Sequence, residues 1–409
     1  MSLRWSWEKL NLRPHHESFR RDQHGILEEN DMKQRIRDLL SPAALVDIER
    51  MDRNIIGMAN KAHENGVLLR PHIKTHKCIE IGKKQKKAGA TGITVSTPLE
   101  ALVFADAGFN DITYAVPLAP DKFSIVQEIM KKTNLKVLVD NPITVELLDK
   151  FSRESNTEFR VLLKVNCGNN RAGVDPNSQQ ALRLAGKIAQ AQKLDFKGIL
   201  AHAGHSYATR SVDEIRRIAD HEQEIMITFA KTLKTENTDL EPGTVSIGST
   251  PTVQLAESFK EAITEIRPGN YVFNDYTQVA LGTCELKDIA FTIQASVIGV
   301  YSDRIVTDAG ATALSKDRGP THLKEDGDYG KIIKNYSEGS IEEGLTVSSL
   351  SQEHGNVAVE EEHHLRPGDR LRIIPNHSCL TANLHEHYFI VKDERVIDKW
   401  EVHRKRLDE

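Results

Sequence analysis

The segment Val67-Leu-Leu-Arg-Pro-His-Ile-Lys-Thr-His-Lys77 runs an apolar strand straight into a cluster of cations: Arg70, His72, Lys74, His76 and Lys77. It opens a long alternation. Further β-branched, apolar runs follow at 92–96, 111–116, 136–140, 159–166, 196–202, 244–248 and 262–266. Between them lie stretches with helical spacing at 97–107, 142–152, 178–192 and 212–233. Eight strand–helix units in about 230 residues predict an α/β fold, a (β/α)8 TIM-type barrel rather than an open sheet. After about residue 285 the pattern changes. Runs at 289–301, 304–308, 344–350, 356–361, 370–374 and 387–397 read as strands joined by turns at 353–355, 366–368 and 392–394. No long helix separates them, which predicts a C-terminal all-β domain. The expected division is a polar N-terminal extension, 1–40, helical in patches such as 31–40; a barrel, 41–285; and a β domain, 286–409. The Gly-, Asp- and Lys-rich stretch 316–331 is expected to be a mobile loop.

Composition narrows the function. The 54 Lys+Arg against 59 Asp+Glu give a formal net charge of −5, without the basic excess of a nucleic-acid binder. No apolar run approaches the roughly 18–20 residues that span a bilayer, and the first 25 residues carry no apolar core of a secretory signal. The four cysteines, Cys78, Cys167, Cys284 and Cys379, are widely spaced and form no CxxC pair, so a disulfide framework is not expected. The default is a cytoplasmic enzyme that binds neither nucleic acid nor membrane.

In a (β/α)8 barrel the C-terminal strand ends face the active site, so Lys74 sits where chemistry would occur. Like-charged neighbours and burial both lower a lysine pKa, and a neutral amine is what covalent carbonyl chemistry requires. Arg70, His72 and Lys74 alternate along the strand and point to one face. On these grounds alone, a solvated basic loop that binds an anion fits equally well.

Arg70-Pro-His-Ile-Lys-Thr-His-Lys77 resembles the cofactor-lysine motif of the fold-type III, alanine-racemase-like enzymes that use pyridoxal 5'-phosphate (PLP). The match is to the branch containing D-serine dehydratase and D-threonine aldolase. Ala43-Ala-Leu-Val-Asp-Ile48 resembles the family's first strand, and the likeness extends over roughly 41–400. It implies that Lys74 binds PLP covalently, with His72 beside it. It also implies a homodimer.

PLP needs a phosphate cradle, a partner for its ring nitrogen and groups that hold the ring. Barrels often bind phosphate after strands 7 and 8. There the chain reads Ser246-Ile-Gly-Ser-Thr-Pro-Thr252 and Arg267-Pro-Gly-Asn-Tyr-Val-Phe-Asn-Asp275. Gly248, Ser249, Thr250, Gly269, Asn270 and Tyr271 are the cradle candidates, both stretches resembling the family's phosphate loops. Arg267 is a candidate for the ring nitrogen. Strand 5 ends in Lys164-Val-Asn-Cys-Gly-Asn-Asn-Arg-Ala-Gly173, which resembles the family motif that brings an arginine, here Arg171, to the cofactor. Asn166 stands where the family commonly has Asp. Strand 6 ends in His202-Ala-Gly-His-Ser-Tyr207. By the resemblance His202 lies against the ring and Tyr207 lines the site.

In the β domain, His377 and Cys379 stand two apart after an apolar run and would face the same way on an extended chain. Imidazole and thiolate suit zinc, Zn2+, and two ligands leave positions open for substrate or water. His385-Glu-His387 and His363-His364 are rival pairs that read as structural or exposed. His377-Ser-Cys379 resembles the zinc pair of the dehydratase branch, whereas the aldolase branch typically has Asp for Cys. Together these readings imply a D-serine dehydratase-like ammonia-lyase acting on a D-3-hydroxyamino acid. The alternatives are an aldolase that releases glycine and an aldehyde, and a non-catalytic PLP carrier.

Overall fold

The computed structural model describes residues 34–323, 327–360 and 362–404. Nearly all of the expected N-terminal extension lies outside them. From its described end, Ile36–Asp38 forms a 3-10 turn. Next comes β1 (Ala43–Asp47), whose Asp47 caps the helix Ile48–Glu64 by accepting from the Arg50 N–H.

The barrel follows as β2 (Leu68–Leu69), β3 (Ile93–Val95), β4 (Asp111–Pro117), β5 (Asn134–Val139), β6 (Phe159–Lys164), β7 (Leu194–Leu200), β8 (Thr244–Ile247) and β9 (Glu265–Ile266). These eight strands form one parallel sheet in the order β2-β9-β8-β7-β6-β5-β4-β3. A His72–Thr94 bridge and the Thr91 N–H to Leu69 carbonyl bond (2.9 Å) join β2 to β3 and close the ring. The helices Pro98–Asp106, Pro142–Glu154, Gln179–Gln190 and Val212–Glu236 occupy the four predicted positions. Each starts at a Thr, Asn or Ser whose side chain accepts a first-turn N–H, the cap that satisfies an otherwise orphaned donor.

The second sheet contains β10 (Phe291–Val300), β11 (Arg304–Thr307), β12 (Lys331–Asn335), β13 (Ser340–Leu350), β14 (Gly355–Val359), β15 (Arg370–Ile374), β16 (His387–Lys392) and β17 (Arg395–Glu401). Its order is β11-β14-β13-β12-β15-β10-β1-β16-β17, and a β10–β11 pairing closes six of these strands into a small antiparallel barrel. Two expectations need correction. The strand β1 was counted with the barrel, but it lies between β10 and β16 in the second sheet. Its residues Ala43–Val46 are buried on both sides, so a non-local partner rather than the next barrel unit completes its hydrogen bonds. The stretch 316–331 is tied down at its described residues and ends by starting β12.

The two units interlock. Phe273 stacks on Phe291 with centroids 5.1 Å apart, and the buried Tyr388 hydroxyl donates to the His76 carbonyl at 2.7 Å. Asp275, just past β9, accepts from the Ser378 N–H at 2.9 Å. These contacts hold the turn after β15 over the mouth of the barrel. Among the described residues no helix is long and apolar enough to cross a membrane.

Candidate active site

Two elements turn the strand end into a site. Pro71 cannot donate to a sheet ladder, β2 stops after Leu69, and the chain winds into a 3-10 turn, Ile73–Thr75. The predicted cation cluster therefore divides. Arg70 stays inside the barrel, 3% exposed, with Nε 2.5 Å from Glu265 and Nη2 2.8 Å from Asp111. His76 is buried against Gln85, and Lys77 donates to Asn383 at 2.7 Å. His72 and Lys74 alone of the five line a cavity of about 240 Å3 at the barrel mouth.

That cavity gathers most of the predicted residues: Arg171, His202, Tyr207, Ser249, Thr250, Arg267, Gly269 and Asn270 from the barrel, with His377 and Cys379 from the β domain. Gly248 and Tyr271 do not line it. The positive φ of Gly248 (115°) aims its N–H at Glu222 and its carbonyl at His202. Tyr271 points from its 3-10 turn into the core, where its hydroxyl accepts from Gln85 at 3.1 Å. The Ser249 hydroxyl and amide are already engaged in a helix cap with Thr252. Thr75, Asn169 and Gly204 line the cavity without having been singled out. Asn169 lay inside the quoted Lys164–Gly173 stretch, so its signal was present.

Burial, then the nearby Lys74, His202 and Arg267, lowers His72 well below the usual histidine value and holds it neutral. Burial, followed by Lys164 and Lys74, does the same to His202, whose Nδ1 donates to the Gly248 carbonyl at 2.9 Å. Burial also brings Lys164, below His202, to about 7 and Arg267 to about 10. The Arg267 guanidinium is spent on Ser246, the Ile247 carbonyl and the Ala201 carbonyl.

His377 and Cys379 converge differently from the extended-chain expectation. His377 is extended and immediately precedes the short helix Ser378–Ala382 that contains Cys379. The two side chains interact. Burial pushes the Cys379 thiol up, but the bond to His377 and its charge, aided by Lys74 and Thr75, outweigh burial and bring it below its usual value. Cys379 Sγ lies 3.1 Å from Thr75 Oγ1, the neighbour of Lys74. Of the rival histidines, His385 is bonded to the Ala313 carbonyl (2.9 Å), and His363 accepts from the Leu365 N–H (3.2 Å).

Residues 46–277 match the family model described as "Alanine racemase, N-terminal domain", and residues 290–391 match the "Putative serine dehydratase domain". The chain belongs to the fold-type III PLP enzymes. Within this family, the chain is 34% identical over 380 residues to the D-threo-3-hydroxyaspartate dehydratase of Delftia sp. (strain HT23), covering 90% of this chain and 99% of that one. It is 34% identical over 391 residues to the D-serine dehydratase of Dictyostelium discoideum, covering 90% and 97%. A mutant D-threo-3-hydroxyaspartate dehydratase solved in a metal-free form superposes with a TM-score of 0.86 at 32% identity, over 91% of this chain and all of that one.

The cavity suits the family's cofactor. The side-chain oxygen of Asn270 is buried and has no partner among the described residues. At Gly269 an added Cβ would lie 3.0 Å from the Cβ and carbonyl oxygen of His72, so a side chain there would press on the cavity-lining histidine. For a metal the fit is an open one. No cluster of three His, Cys, Asp or Glu occurs among the described residues, whereas the thiol and imidazole on one cavity wall are a donor pair that zinc favours.

Proposed function

We propose that the protein is a PLP- and zinc-dependent dehydratase that eliminates the β-hydroxyl of a D-3-hydroxyamino acid, turning D-serine into pyruvate and ammonia. Its relatives support the dehydratase and lyase class. The observation that carries the finer reading is the approach of Cys379 to Thr75. A lysine amine and a thiol–imidazole pair share one cavity wall.

PLP held at Lys74 would supply an electron sink for charge at Cα, and zinc held by His377 and Cys379 a Lewis acid for the departing hydroxide. The chain's own part is positional and acid–base. Among the described residues the Lys74 amine has no side-chain hydrogen-bond or ion-pair partner, so as a free base it could take the Cα proton. Burial makes His72 and His202 weak bases, so they compete poorly for that proton. Arg171, exposed at the rim, is a cation for a carboxylate. The hydroxide needs help to leave, which is why the reading pairs the lysine with a metal. A second copy of the chain, making a homodimer, belongs to the same proposal.

The test is to incubate the metal-loaded holoenzyme with D-serine, D-threonine and the isomers of 3-hydroxyaspartate. Ammonia with a 2-oxo acid is the expected product. Glycine with an aldehyde would establish the aldolase instead, and no turnover with a bound PLP band would establish the carrier.

A further inference from the structure

We infer that Asp317 is the positioning residue of the metal pair: its carboxylate takes the Nδ1–H of His377, fixes the imidazole tautomer and leaves Nε2 to face a cation. This rests on the proposed metal role of His377 and Cys379.

The geometry is specific. Asp317 Oδ2 lies 3.0 Å from His377 Nδ1. An ionised carboxylate only accepts, so the ring nitrogen is the donor. The other oxygen, Oδ1, accepts from the Gly319 N–H at 2.7 Å, so both oxygens are held. The backbone is held too. Asn376, next to His377, donates to the Asp317 carbonyl at 3.4 Å and to the Asp328 carbonyl at 2.6 Å. Gly319 makes the turn at φ 66°, where an added Cβ would meet Asn376 at 3.0 Å. On the far side His322 bonds the Thr209 carbonyl at 2.7 Å, anchoring the same loop to the barrel beyond Tyr207. Asp317 does not line the cavity although His377 does, so the carboxylate backs the ring from outside while the ring faces the site. A carboxylate on the distal nitrogen of a ligating histidine orients the ring and raises its basicity.

The experiment measures zinc affinity of the PLP-loaded protein by competition with a chromogenic chelator. Asp317→Ala should weaken zinc by about 10- to 100-fold, with the bound PLP band unchanged. Asp317→Asn keeps an oxygen that can accept the Nδ1–H and should recover part of that loss. His377→Ala should lose zinc almost completely. If Asp317→Ala binds zinc within about twofold of the parent, or if Asp317→Asn is no tighter than Asp317→Ala, the positioning role is overturned while the metal reading stands. If His377→Ala keeps the parent affinity, the metal reading itself falls.

Discussion

Arg70 and Lys74 are cations four residues apart at one strand end, in opposite circumstances. Arg70 lies below the mouth, where Glu265 and Asp111 receive its guanidinium, Lys136 takes the other Asp111 oxygen at 2.7 Å, and Ser246 donates to the other Glu265 oxygen at 2.6 Å. Every charge there is answered. Lys74 stands above it among neutral histidines, with no ion-pair partner among the described residues and with the unpartnered Asn270 oxygen on the same cavity wall. The same kind of residue builds a scaffold when its bonds are complete and a reaction site when they are left for a ligand.

Exchanging the roles should give opposite phenotypes. Lys74→Ala should cost about 10^4-fold in turnover, the upper range for a positioned base, and remove the visible band of covalently held PLP. Its melting temperature in the cofactor-free state should not fall. Turnover within tenfold of the parent would break the assignment. Arg70→Met should do the reverse. Removing one partner of a buried pair costs about 3–5 kcal/mol, so the protein should melt much earlier. The fraction that remains folded should still turn over within a few-fold.

Stripping the metal separates the two halves of the site. A chelator should lower ammonia production by about 10^3-fold, several kcal/mol of leaving-group stabilisation, while the PLP band persists. Full activity in rigorously metal-free protein would show that Lys74 and PLP suffice.

The sequence made the barrel legible because each strand and helix is a local pattern with its own period and cap. The cavity followed, since strand ends face one way. What stayed hidden depends on partners distant in sequence. The strand β1 pairs with residues some 250 and 340 positions later, which no local pattern encodes. The short β12, Lys-Ile-Ile-Lys-Asn, carries too few residues to show alternation. Tyr271 was placed at the cavity because the sequence shows a loop but not which way a 3-10 turn aims its side chain. Asp317 gave no signal beyond one acid in a polar stretch, because its role exists only where the chain returns 60 residues later.

The smallest effect expected concerns the rim of the paired cluster. Burial pushes the Asp111 carboxyl up, but its bonds and charge interactions with Arg70 and Lys136 outweigh burial and hold it below the ordinary aspartate value of 3.8. A carboxyl depressed in the folded state contributes stability that is complete above its unfolded pKa and is lost as pH falls through the folded one. The parent should therefore lose stability relative to Asp111→Asn as pH falls from about 5 towards 3, with a constant difference between them above about 5. Thermal melts of both proteins across that window read the effect directly. Parallel curves through pH 3 would mean that Asp111 is no more than a solvated acid beside the pair, and that the Arg70–Glu265 bond alone closes the barrel floor.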